Sequence, residues 1–225
     1  MVEYAPAIAR ATGGFWRVGR GDDPLRPSYL DIEDASVRHA GNRFDCQEIG
    51  VLYFATRLEG CFAETLARFR PSASVQAAIS DEWKSRGFMA VGSVPADWRN
   101  RRLAVKAAPL HDYRFLDIES VQTHQLLTSE LASELNELGV DHLDIPAVRG
   151  RDRRLTRLVS AWAYHATNEV GDGLFAGIRY VSRLGDWECW AVFEDVPLVQ
   201  QAVRPIDRGC PELVLIAREF NLVVF

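Results

Sequence analysis

The sequence predicts an α+β domain with a mixed, largely antiparallel sheet and flanking helices. Three observations lead there. Short apolar runs of strand length are interleaved with amphipathic stretches, without the regular βαβ rhythm of a doubly wound fold. Two of the amphipathic stretches are long enough to be substantial helices. No Pro/Gly/Ser-rich linker divides the 225 residues, so 1–225 reads as one domain. With 48% hydrophobic and 25% charged residues, the chain can bury a core without disulfides or metal.

The elements follow in order. Phe15 to Gly19 reads as a first strand, and the Gly-, Pro-, Asp- and Arg-rich stretch Arg20 to Asn42 as a long loop with one helical turn. Val51 to Ala55 is a compact apolar run after Gly50, the pattern of a buried strand. Leu58, Phe62, Thr65, Leu66 and Phe69 recur at helical spacing until Pro71, with the core face centred near Phe62, Thr65 and Phe69. Phe88 to Val94 and Leu103 to Ala107 read as strands. Ser120 to Leu138 is the clearest helix, with Leu127, Leu131, Leu135 and Leu138 on one face and Gly139 as its stop. That apolar stripe suits core packing, with a homodimer or partner interface as the other use. A second long helix spans about Arg154 to Asn168. Gly177 to Val181, Glu188 to Phe193 and Leu213 to Ala217 read as strands, and the tail Leu222 to Phe225 as one more.

Charge and motifs narrow the chemistry. With 26 basic against 31 acidic residues, the net charge of −5 disfavours direct nucleic-acid binding. Lys84 and Lys106 are the only lysines, so nearly all positive charge sits on guanidinium groups, which match phosphate and carboxylate geometry. There is no GxxxxGK[ST] loop, GxSxG elbow, HExxH pair or CxxC, and the five histidines (39, 111, 124, 142, 165) read as surface or loop residues. No metal is expected. Gly171-Asp172-Gly173 precedes a strand rather than a helix, so it does not fit a dinucleotide loop. Cys46, Cys61, Cys189 and Cys210 read as free, mostly buried thiols. With no signal peptide and no membrane-spanning run, the expected compartment is the cytoplasm, and no membrane partner is expected.

The remaining chemistry lies in five segments. They are Phe15-Trp16-Arg17-Val18, Gly41-Asn42-Arg43-Phe44, Gly50 to Ala55 with Tyr53, Ala63-Glu64-Thr65, and Gly177-Ile178-Arg179-Tyr180-Val181-Ser182. In that order they resemble the RES-domain family, named for an Arg, a Glu and a Ser in its pattern. The likeness covers roughly residues 15–70 and 150–195. Residues 71–150 look like a longer variable insertion. The chain departs from the pattern at Asn42, inserted into the usual Gly-Arg, and at Val181, where Pro is usual.

The resemblance implies an ADP-ribosyltransferase-like fold and a toxin of a toxin–antitoxin pair. Such a toxin depletes NAD⁺ at the nicotinamide–ribose bond by glycohydrolysis or phosphorolysis. It also implies an antitoxin with an Xre-like helix-turn-helix domain that covers the site. NAD is then a substrate, and Glu64, Tyr53 and Ser182 are the expected catalytic set. The residue types suit these roles. Bond cleavage passes through an oxocarbenium-like ribose, which a carboxylate stabilises. Helical periodicity points Glu64 away from the core face, where the plainer role would be an exposed pair with Arg68. The Tyr53 ring suits stacking on nicotinamide, its hydroxyl needs a polar partner, and the Ser182 hydroxyl suits orienting Glu64 or the ribose. Arg17 and Arg43 suit clamping the pyrophosphate. Of Arg179 and Tyr180, which alternate faces, one is expected at the cleft. ADP-ribosyl transfer to a macromolecule, or NAD binding without catalysis, fits the same residues.

Overall fold

A computed structural model describes residues 5–78 and 91–225. Its strands are β1 (Ile8–Ala9), β2 (Phe15–Arg20), β3 (Val51–Ala55), β4 (Ser93–Val94), β5 (Arg102–Pro109), β6 (Phe115–Asp117), β7 (Gly177–Val181), β8 (Glu188–Phe193), β9 (Leu198–Pro205) and β10 (Val223–Val224). Its helices are α1 (Leu58–Leu66), α2 (Ala73–Ala78), α3 (Ala96–Asn100), α4 (Val121–Glu130), α5 (Ala132–Glu137), α6 (Ile145–Val148), α7 (Arg153–His165) and α8 (Pro211–Glu219). Single 3-10 turns occur at Ile32–Asp34 and Ala67–Phe69.

Eight strands form one sheet in the order β1-β6-β7-β8-β3-β2-β5-β9, and β10 pairs with β4 apart from it. Within the large sheet only β6 and β7 run parallel; the other ladders are antiparallel. The expected α+β class with a mostly antiparallel sheet is thus observed. β5 and β6, from the stretch read as an insertion, are strands of the same sheet.

Aromatic rings knit the centre of the sheet. Phe15 of β2 packs 5.0 Å from Phe54 of β3 and 5.6 Å from Trp190 of β8, and Phe115 of β6 lies 5.1 Å from Trp190. All four are buried. The Trp190 indole N–H donates to the Thr56 hydroxyl at 2.9 Å, so its polar edge is not stranded in the core. Gly177 opens β7 at φ 146°, and a side chain there would run into the Ala191 carbonyl of β8. Only glycine lets these two strands approach so closely.

Several expectations change. Leu213 to Ala217 is helical, not extended: Pro211 sits in the first turn, and Leu213, Ile216 and Ala217 bury one helical face. A short apolar run carries no period of its own, and the Pro211 start decides it. The long helix predicted over 120–138 begins at its Ser120 cap but breaks at Leu131, where φ −109° and ψ 24° leave helical space, so α4 and α5 are separate. Leu127, Leu131 and Leu135 are buried and Leu138 partly so, which makes that stripe core. Of the strand predicted over 88–94, Ser93–Val94 is extended and residues 88–90 lie outside the described residues. β9 and β6 were not anticipated. β9 is an edge strand with little burial and hence no alternating pattern, and β6 is three residues long. His124, expected at the surface, is buried in α4, with its Nε2 2.6 Å from the Ile118 carbonyl oxygen.

Truncating Phe115 removes a fully buried ring from this aromatic cluster. Phe115→Ala is expected to cost about 3–5 kcal/mol, read as a lowered midpoint in urea unfolding with an unchanged m-value.

Candidate active site

The site begins where two strands part. β2 is matched along all six residues with β5, from Phe15↔Ala107 to Arg20↔Arg102. With β3 it registers at one pair, Trp16↔Ala55. Beyond that pair β2 leaves β3, while β3 stays matched to β8 along its length. A cavity of about 320 Å³ lies there, within reach of the roughly 300–1,000 Å³ common for small-molecule sites. Arg17 and Val18 from β2 line it, with Tyr53, Phe54 and Ala55 from β3. Glu64 and Thr65 from α1 line it too, as do Arg43, Arg153, Tyr180 and Arg183.

Helix α1 brings the carboxylate. It follows β3 directly and buries Leu58, Phe62 and Leu66 against the core. Gly60 permits close packing: a Cβ there would lie 2.9 Å from Ala55 Cβ and 3.0 Å from Trp187 Cβ. Glu64 points off this face into the cavity, as its phase predicts. Thr65, predicted on the core face, lines the cavity instead. Its hydroxyl donates to the Cys61 carbonyl at 2.8 Å, which frees it from needing a core partner.

Ser182 follows β7 and is 2% exposed. Its hydroxyl donates to Glu64 Oε1 at 2.6 Å and accepts the Leu184 N–H at 3.0 Å. The serine thus fixes one carboxylate oxygen through a backbone amide of the following turn. It does not line the cavity itself, and the structure brings it to Glu64 rather than to open space. Of the two alternating residues of β7, Tyr180 faces the cavity, while Arg179 pairs on the other side with Asp117 at 3.2 Å and Glu188 at 3.0 Å.

The Tyr53 ring lines the cavity, but its hydroxyl is occupied. It donates to Asp45 Oδ1 at 2.7 Å and accepts the Phe44 N–H at 3.0 Å. Asp45 is fully buried and also accepts from the Asn42 amide at 2.6 Å and from the Ser28 hydroxyl at 3.3 Å. These donors satisfy a carboxylate that would otherwise be costly to bury. The network closes the Gly41–Phe44 turn onto β3. Gly41, at φ 67°, has no room for a Cβ, which would meet Asp45 Oδ2 at 2.8 Å. Asn42, the departure from the family pattern, is a working member of this network: its side-chain amide also donates to Ser28 Oγ at 2.7 Å. From behind, α7 grips the same segment. Arg157 donates to the Ala40 carbonyl at 2.9 Å and the Val37 carbonyl at 2.6 Å, and Ser160 to the Phe44 carbonyl at 2.8 Å.

Four arginines face one lining carboxylate, Glu64. Arg43 is 7% exposed; it donates to the Val181 carbonyl at 3.2 Å and lies 5.2 Å over the Tyr180 ring. Arg17 donates through Nη2 to the Arg26 carbonyl at 2.6 Å, but its Nη1 is buried without a partner. Arg153 Nη1 is likewise buried and unpartnered. Desolvation lowers the pKa of Arg17, Arg153 and, although it is more exposed, Arg183. The positive charge of Arg183 and Arg43 lowers Arg153 further, and that of Arg43 lowers Arg183. The cavity is therefore cationic with unspent N–H donors, an arrangement that favours an anionic ligand. Arg17 and Arg43 were singled out from sequence. Arg153 and Arg183 were missed because the segments carrying them meet the site only in three dimensions; Ser182 beside Arg183 was the nearest signal. Among the described residues, no group of three or more His, Cys, Asp or Glu side chains is placed to hold a metal ion, and no helix is long and apolar enough to cross a membrane.

Burial also holds the thiols and phenols of the site protonated. Cys61 is pushed up to about 12, and Cys189, Tyr53 and Tyr180 are raised well above their ordinary values. All four cysteines are free. In the unfolded chain the thiols ionise near pH 9, whereas folded Cys61 stays neutral until about 12. Stability from this difference is complete below pH 9 and is lost as pH rises towards 12. Denaturant midpoints are expected to fall steadily across that window, and Cys61→Ser, whose hydroxyl does not titrate there, is expected to show a shallower fall.

Comparison with known proteins places the sequence in a family. No curated protein matches the sequence. Among solved structures, the chain is similar to a toxin–antitoxin complex of M. tuberculosis, MbcT–MbcA, at 13% identity and a TM-score of 0.46, over 94% of this chain and 90% of that one. The family model described as RES domain matches residues 15–213, which takes in every cavity-lining residue from Arg17 to Cys189. The chain belongs to the RES-domain family.

Proposed function

We propose that this protein is an NAD⁺-degrading toxin that cleaves the nicotinamide–ribose bond, with water or phosphate as acceptor, and is neutralised by a cognate antitoxin. The observation that carries the reading is Glu64. Its carboxylate is held by Ser182 at the edge of a cavity whose other charged lining groups are all arginines. A dinucleotide needs both halves of this arrangement: cations for its pyrophosphate and an anion at its ribose.

In this reading Arg17 and Arg43 hold the pyrophosphate through forked, charge-assisted hydrogen bonds. Tyr53 presents its ring to the nicotinamide end. Its phenol, committed to Asp45 and the Phe44 amide, fixes the ring plane rather than moving a proton. As the C–N bond breaks, nicotinamide leaves as a neutral base with the bonding pair, and positive charge spreads over the ribose. Glu64 stabilises that charge and holds a ribose hydroxyl. Attack by water at the anomeric carbon, with loss of a proton, gives ADP-ribose; attack by phosphate gives the corresponding phosphate ester. Ser182 acts through Glu64, as a positioning residue. Family membership supports a helix-turn-helix antitoxin of the Xre-like kind as partner and the cytoplasm as the place of action.

Incubating the purified protein with NAD⁺ is expected to release nicotinamide without a protein acceptor, measured by chromatography. Glu64→Gln is expected to lower the rate by about 10²–10³, the range seen when one preorganised electrostatic group is removed. Ser182→Ala is expected to lower it by roughly tenfold, since one positioning hydrogen bond is worth about 1–1.5 kcal/mol. Undiminished turnover by Glu64→Gln protein would reject the assignment. Label from NAD⁺ appearing on a macromolecule in lysate would point instead to ADP-ribosyl transfer. In cells, growth arrest on expression should disappear when the antitoxin is supplied.

A further inference from the structure

The cavity holds more guanidinium groups than one clamp on a pyrophosphate uses. Arg17 reaches the cavity from β2, with Cys61, Asp23 and Tyr53 among its titratable neighbours. Arg43, Arg153 and Arg183 line the same cavity as Glu64. The charges of Arg43 and Arg183 act on Arg153, that of Arg43 acts on Arg183, and Glu64 is a neighbour of both Arg153 and Arg183. They come from three separate parts of the chain: the turn before β3, the first residue of α7, and the turn after β7.

Like charges held together need a reason. Elsewhere in the described residues, several part-buried arginines have acid partners: Arg149 meets Glu119 at 2.7 Å, Arg154 meets Asp152 at 2.7 Å, and Arg179 meets two carboxylates, whereas the buried Arg157 spends its donors on the Ala40 and Val37 carbonyls. Among the described residues, none of the three clustered arginines has an ion pair. Arg153 Nη1 is buried with no hydrogen-bond partner at all. The one nearby carboxylate, Glu64, has an oxygen committed to Ser182. An unpaired, mutually repelling cluster beside a cavity is stabilised when an oxyanion with several acceptor oxygens enters.

Resting on the reading of this cavity as a nucleotide site, we infer that Arg153 and Arg183, with Arg43, form a seat for a phosphoryl oxyanion beside Glu64. The ligand chemistry is a tetrahedral phosphate group offering two or more anionic oxygens. It has two sources: the pyrophosphate of the dinucleotide, or free phosphate bound next to the reacting ribose. Arg153 and Arg183 are then ligand-binding residues of the reaction.

The test is direct binding to the full-length protein, by calorimetry, of inorganic phosphate, ADP-ribose and adenosine. Wild type is compared with Arg153→Gln, Arg183→Gln and Arg153→Lys. Arg183 is exposed at its turn, so Arg183→Gln keeps the test open should Arg153→Gln fail to fold. Each Gln variant is expected to weaken one phosphate-bearing ligand by roughly 10–100-fold, the loss expected for a charged hydrogen bond, while adenosine is unchanged. Arg153→Lys is expected to recover part of the affinity. A loss confined to ADP-ribose assigns the seat to the dinucleotide; a loss confined to inorganic phosphate assigns it to a separate anion. Both support the inference. Phosphate and ADP-ribose binding at wild-type strength in Arg183→Gln and in folded Arg153→Gln would overturn it. Should wild type bind phosphate through these residues but neither ADP-ribose nor NAD⁺, the seat stands and the dinucleotide reading fails.

Discussion

The separation of β2 from β3 after a single matched pair is the constraint on which the rest of the structure depends. A sheet that continued its ladder past Trp16↔Ala55 would bury Arg17 and Tyr53 against each other's strands and leave no cavity. The split is tolerated because each strand has a full partner on its other side, β5 for β2 and β8 for β3. Backbone groups released at the split are a standing cost. Part of it is met by neighbouring segments: Ser28 bridges to Val51 through hydrogen bonds of 2.9 Å in both directions, and the Cys61 thiol donates to the Trp16 carbonyl at 2.9 Å.

What keeps the split open in one shape is polar and buried. Asp45 gathers donors from Ser28, Asn42 and Tyr53, tying the loop before β3 to the ring that lines the cavity. Such a hub is useful only when complete, since one missing donor leaves a buried carboxylate underbonded. Behind it, Arg157 and Ser160 of α7 hold the backbone of the same loop. The cavity wall is therefore anchored to the sheet on one side and to a thirteen-residue helix on the other. The geometry of the cavity lining then rests on few soft degrees of freedom. Glu64 is set by its helix and by Ser182, and Tyr53 by its strand and Asp45.

The electrostatics run against the whole-chain charge. A net charge of −5 argues against polyanion binding at the surface, yet the cavity concentrates guanidinium groups against one lining carboxylate. Gathering like charges in a partly buried place costs folding energy, and unpartnered Nη1 atoms on Arg17 and Arg153 add to it. Functional sites commonly carry such costs, because donors left unspent in folding are available to a ligand.

Much of this was legible in the sequence, for physical reasons that differ by element. β3, β7 and β8 announce themselves because central strands are apolar and bounded by turn residues. The phase of α1 alone sends Glu64 off the core face. Periodicity failed where it carries no information: a five-residue apolar run, Leu213 to Ala217, fits a strand or a helix equally, and the exposed edge strand β9 has no buried face to pattern. The sequence by itself determined the fold class, the family and the ordered residue types Arg17, Arg43, Tyr53, Glu64 and Ser182. Only the tertiary structure decided that Ser182 serves Glu64 rather than open space, that Tyr180 and not Arg179 faces the cavity, and that Arg153 and Arg183 join the site. The reason is distance along the chain: Ser182 and Glu64 are 118 residues apart, and no local spacing encodes a hydrogen bond that only the closed sheet brings together.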